Sequence, residues 1–204
     1  MSTRKRETRA ARRRMTAGTA AVLGVALLLT GCGDDGDTAS VPEGWGTLET
    51  GSVRVGYPEN EGYVEQPAAE RAKSNAAVAL QEKGGIRTGM VSVQLDFATG
   101  VDDAAGAAAA AGAGIGMNST RRATEDIRLA GPDGAREARE ARRIDYDFTA
   151  DGRDDTPNVG TPMTGVLVAG VDSKGVPFVV RLNAVKDVVD AEDLDAFVGS
   201  ITVK

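Results

Sequence analysis

The chain of 204 residues has no histidine. Imidazole is therefore missing as a general base, as a zinc ligand and as a switch near neutral pH. A single cysteine, Cys32, rules out an internal disulfide and a thiolate metal cluster. Aromatic residues are scarce, one Trp, three Tyr and four Phe, so there are few platforms on which bases or sugars could stack. What remains is ordinary for a globular chain, with 41% hydrophobic and 26% charged residues. The length fits one domain with a small appendage.

Charge is unevenly spread. The formal net charge is -6, yet residues 1–31 carry seven cations and the single anion Glu7, which leaves -12 on residues 32–204. A basic start is followed by an apolar run from Met15 to Leu29 and then small residues, the anatomy of an export signal. As a helix that run covers about 22 Å, short of the ~30 Å hydrocarbon core, so removal is expected rather than a permanent span. Arg12-Arg13-Arg14-Met15 invites a twin-arginine route, although the residues after it fit that consensus poorly; the general secretory route is the other reading. The basic segment leaves with the signal, and the acidic remainder argues against nucleic acid as a partner.

Leu29-Thr30-Gly31-Cys32 resembles a bacterial lipobox. Small residues suit a narrow peptidase cleft, and only a thiol can form the thioether to a diacylglyceryl group. Cys32 is thus the expected lipidation site, giving a membrane anchor through an N-terminal lipid. The organisation expected is a lipoprotein signal at 1–31, a lipidated flexible tether at 32–41 and a folded domain at 42–204. Asp34, Asp35 and Asp37 read as solvation of the tether rather than a cation site.

Within the domain, Val53–Pro58 alternates like a short strand, and Met90–Phe97 gives the clearest strand of the first half. Ala68 to Leu80 reads as helix first, turning extended near Val78. Asp102 or Asp103 can cap a helix through the alanines up to Gly112 and Gly114. Thr124–Ala130 is a strand. Arg139–Phe148 alternates, with Ile144, Tyr146 and Phe148 inward and Arg143, Asp145 and Asp147 outward. Met163–Val171 and Val176–Val185 form a hairpin across Asp172-Ser173-Lys174-Gly175. Asp190-Ala191-Glu192-Asp193 starts a terminal helix with Leu194, Phe197, Val198 and Ile201 as its apolar stripe. The fold class predicted is α+β, a mostly antiparallel sheet packed with helices as a sandwich.

No catalytic constellation emerges. The only adjacent serine–lysine pairs, Lys73–Ser74 and Ser173–Lys174, cannot face one another on a strand or a helix. Gly112-Ala113-Gly114-Ile115-Gly116 lacks the lysine and hydroxyl of a phosphate loop. Asp145, Asp147, Asp151, Asp154 and Asp155 are the best metal candidates, but counted as an EF-hand they put Thr149, Ala150 and Thr156 where acid, glycine and glutamate belong. They read as a strand face and a charged loop. Arg136, Arg139, Arg142 and Arg143 alternate with Glu137 and Glu140, which cancels their field. Trp45 reads as core or core rim. Catalytic residues, metal and cofactor are all expected to be absent.

Four stretches together resemble the PsbP-like domain of LpqN-type lipoproteins: Val41-Pro42-Glu43-Gly44-Trp45 with the following strand, Ile127–Gly131 leading to Ala141–Phe148, the Gly165–Val185 hairpin, and the closing helix into Gly199–Val203. The resemblance implies an accessory or ligand-binding role on the extracytoplasmic face of a cell membrane, and it transfers no functional residue. The leading expectation is a non-enzymatic module that binds an envelope protein. The alternative is a carrier of a small lipid or metabolite in a cleft between sheet and helix.

Overall fold

The protein is described by a computed structural model for residues 39–204 apart from 117, 133, 154 and 187, with no side-chain description for 134–137. The expected signal at 1–31, the expected lipidation site Cys32 and the expected tether up to residue 38 lie outside these residues, as does Asp154. In chain order the elements are β1 (Gly46–Glu49), β2 (Val53–Tyr57), a 3-10 turn (Glu59–Glu61), β3 (Tyr63–Glu65), β4 (Ala77–Lys83), β5 (Ile86–Leu95) and α1 (Ala104–Gly112). There follow β6 (Ser119–Gly131), β7 (Gly134–Thr149), β8 (Pro162–Val171), β9 (Pro177–Val185), α2 (Ala191–Gly199) and β10 (Thr202–Val203).

All ten strands form one sheet in the order β1-β2-β10-β6-β7-β8-β9-β5-β4-β3. Neighbours are antiparallel except β10, which runs parallel to β6 while pairing antiparallel with β2. The sheet curls until β1 lies against β4, a nearly closed, barrel-like form. This corrects the expected α+β sandwich. The molecule is mostly β, and its described helices are two nine-residue segments.

Two local reasons account for the difference. The alanines at 68–72 sit in turns after Pro67 and carry no apolar stripe, and the Arg71 guanidinium bonds the Ala76 carbonyl, so the chain enters β4 directly. β6 and β7 extend to 13 and 16 residues, well past their apolar portions, because cross-strand pairing holds their polar halves extended.

The curl encloses the main core. Leu48, Val53, Val55, Val91, Val93, Val166, Val168, Phe178, Val180 and Leu182 line it, and Phe197 of α2 plugs it with no exposure. α2 starts with a capping box: Asp190 accepts from the Asp193 N–H at 3.0 Å and Asp193 returns the bond to Asp190 N–H at 3.1 Å. On the opposite face lies α1, capped by Asp103, whose carboxylate accepts from Gly106 N–H at 2.6 Å. Its buried Ala107, Ala108 and Ala111 let the helix approach Ile144, Tyr146, Leu167 and Val179 closely. Central strands are therefore covered on both faces.

The β8–β9 turn is fastened by Asp172. Its carboxylate accepts from the N–H of Lys174 and of Val176, both at 2.8 Å, while Gly175 takes φ +79°. Burial would raise the Asp172 pKa, but Ser52 and these two N–H groups outweigh it and hold the carboxyl below its ordinary value.

Candidate functional site

α1 is too short and too small-sided to cover its whole face of the sheet. Beyond its C-terminal end a groove of about 380 Å³ opens between Gly114–Gly116, the outer face of β7, β8 and β9, the start of β5 and the loop residues Ala150, Asp151, Thr156 and Pro157. Met90, Ile115, Phe148, Pro157 and Met163 give it apolar walls. Arg87, Arg181, Asn183, Asp151 and the Tyr146 hydroxyl are among its polar groups, with Asn118, Ser119, Thr149 and Thr156 at its margin. The volume lies in the range of small-molecule sites, which combine apolar walls with convergent polar groups.

The floor depends on one glycine. Tyr146 donates to Asn183 Oδ1 at 2.5 Å across β8, and a Cβ on Gly165 would collide with both partners. Gly165 thus leaves the space in which that bond lies. Burial pushes the Tyr146 phenol up to about 12, against the opposing pull of Arg181 and Asn183, so it is a neutral donor at physiological pH.

The two arginines set the electrostatics. Arg181 is half-buried and reaches the Ala111 carbonyl at the C-terminal end of α1 at 3.5 Å, where the helix dipole favours a cation. It also lines a second depression of about 520 Å³ with Gln94, Phe97 and Ala111. Arg87 is fixed through its backbone, which donates to the Asp155 carbonyl at 2.6 Å. In both residues, as in Arg139 of β7, Nε is buried and has no hydrogen-bond partner among the described residues. Among the described residues neither has a carboxylate within salt-bridge distance.

The opposite face supplies a contrast at the open end of the curl. Arg143 binds Asp145 at 2.9 Å and Asp195 of α2 at 2.6 Å, and Asp147 binds Lys186 at 2.9 Å and Arg122 at 3.3 Å. Burial opposes the Arg143 charge, but its bonds to Asp195 and Asp145 prevail and raise its pKa. For Asp147 burial also acts upward, and Lys186 with Arg122 overcomes it, leaving the carboxyl below its ordinary value. Arg143, Asp145 and Asp147 are therefore a half-buried ion-pair network, where the alternation had implied a solvent face.

The acidic residues weighed as metal ligands separate. Asp145 and Asp147 belong to that network, whereas Asp151 lies across the sheet and accepts from Arg153 N–H and Thr156 Oγ1, closing its own loop. Among the described residues no group of three acidic or cysteine side chains is placed to hold a metal ion. Gly112–Gly116 runs past the C-terminal end of α1, the wrong end of a helix for a phosphate. Lys73 and Ser74 are exposed beside the second depression, Ser173 and Lys174 are exposed in the β8–β9 turn, and Trp45 packs on the main core. Arg142 pairs with Asp126 at 2.7 Å.

Arg87, Arg181 and Asn183 were not among the residues singled out from the sequence. Arg181 and Asn183 had a signal: they sit on one face of Pro177–Val185, whose other face is wholly apolar. No family model and no curated protein matches the chain. The site is accordingly defined by its geometry alone.

Proposed function

We propose that residues 42–204 form a non-enzymatic binding module, held at the extracytoplasmic face of a cell membrane by a lipid on Cys32, that takes a small ligand in the α1 groove. The ligand class is a molecule with an apolar body and an anionic head. The observation carrying this reading is the pair Arg87 and Arg181, two guanidinium groups lining the groove with no carboxylate within salt-bridge distance among the described residues. An anionic head would form charge-assisted hydrogen bonds with these guanidinium groups, which are stronger than bonds between neutral partners. This favours the ligand-carrier reading of the sequence over the accessory-protein reading, which draws on the short tether and on no comparable surface feature.

The test uses decanoate and octyl phosphate as probes, followed by native mass spectrometry and thermal shift. Binding is expected to raise the melting temperature of the parent and to fall at least tenfold in Arg181→Ala. Equal binding by parent and variant would overturn the assignment of the groove. Anchoring is tested separately: Cys32→Ala should move the protein from the membrane to the soluble fraction.

A further inference from the structure

Among the described residues β6 is paired over most of its length on one side only. β7 accompanies it from Ser119 to Gly131, whereas on its other side β10 meets it solely at Ala130. Residues 120–126 are all exposed, so this half of β6 presents a free row of backbone donors and acceptors. Its sequence is Arg121-Arg122-Ala123-Thr124-Glu125-Asp126, two cations followed by two anions about a small neutral centre.

We infer that this edge binds a second copy of the same chain, antiparallel, with the two-fold axis at Thr124. The existing geometry sets the register. Arg121, Thr124 and Asp126 oppose Tyr146, Ile144 and Arg142 and so share one face, while Ala123 and Glu125 oppose Asp145 and Arg143 on the other. The register slips by one residue between Arg121 and Ala123, making Arg122 the extra residue of a bulge. With Thr124 opposite its symmetry mate, Glu125 meets Ala123 and the bulged Arg122 of the second copy. The same bulge then brings Asp126 opposite Arg121. Directly opposed residues share a face in every case, as antiparallel pairing requires.

Both anions of each copy meet both cations of the other, with Arg122 and Asp126 shared between these cross-dyad pairs and the exposed pairs they make with Asp147 and Arg142 in their own chain. A parallel in-register pairing sets Arg121 and Arg122 against themselves, and Glu125 and Asp126 likewise, so the charge order selects the antiparallel dimer. An edge guarded only against aggregation needs charge of one sign, which repels its own copy in either direction. The order along β6 does the opposite.

The experiment is run on the full chain in detergent, with Cys32→Ser to remove the background thiol. Thr124→Cys places two thiols across the dyad, at the separation of directly opposed strand residues and within disulfide reach. Oxidation should convert most of it to a dimer, while Lys73→Cys, exposed on another part of the surface, should stay monomeric. Sedimentation of the chain without a cysteine at 124 should show a reversible dimer, and Arg121→Glu should raise its dissociation constant at least tenfold with an unchanged circular dichroism spectrum. A monomer at 100 µM together with no cross-link at 124 would overturn the inference. So would cross-linking at 73 as strong as at 124, or cross-linking at 124 only when a different protein is present.

Discussion

Arg143 and Arg181, on opposite faces of the sheet, are used in opposite ways. Inside the open end of the curl, Arg143 is held by Asp145 and Asp195, and the neighbouring carboxylate of Asp147 is matched by Lys186 and Arg122. On the α1 face, Arg181 has only the end of a helix and Arg87 only its own backbone contact. Packing differs in the same sense. The enclosed face is filled by Phe178, Phe197 and branched aliphatics, while α1 covers its face with alanines and leaves a groove. Charges that are paired within the fold hold elements together. Charges left unmatched in an apolar groove are available to something that arrives later.

Four substitutions can break or sharpen this comparison. Phe197→Ala empties the plug of the enclosed core and should cost about 3–5 kcal/mol in urea denaturation. Arg143→Met removes the link between β7 and α2 and strands two carboxylates. About 2 kcal/mol is expected, less than for a fully buried pair because Asp195 is mostly exposed. A smaller effect attaches to Asp147, whose folded pKa lies below its ordinary 3.8. Its contribution is complete above that value and is lost as pH falls through the lower folded value. Denaturation curves below pH 4 should therefore be less pH-dependent in Asp147→Asn than in the parent.

The smallest stability change belongs to Arg181→Ala, within about 0.5 kcal/mol, because no ion pair is lost. Its effect should appear in ligand binding instead. If Arg181→Ala destabilised the fold as much as Arg143→Met, the distinction between the two faces would collapse.

Strands and caps were largely legible in the sequence, because they are local. Alternation marked Val91–Leu95 and Ile144–Phe148, and short polar residues marked the caps at Asp103 and Asp190. Fold class was not legible. The curl depends on how far β6 and β7 extend and on which strand sits beside which, and nothing in alternation says that residues 202–203 separate β2 from β6. The site was half legible. Tyr146 looked like a core residue and is one, yet its hydroxyl floors a groove only because Gly165 stands between it and Asn183. Arg143, Asp145 and Asp147 read as a wet face because alternation assigns one buried side per strand, and here α1 and α2 cover both.

β10 has a consequence in time. Among the described residues β2 and β6 are joined only through Thr202 and Val203, and the Gly56 N–H finds its acceptor in Ser200 Oγ, 144 positions further along. A chain emerging from its N-terminal end therefore exposes β1 and β2 long before the segment that seats them has been made. Such distant pairing slows folding and keeps the early strands open to proteases and holding chaperones. Any factor that binds this chain unfolded has that interval to work in, and it closes when residues 200–203 arrive.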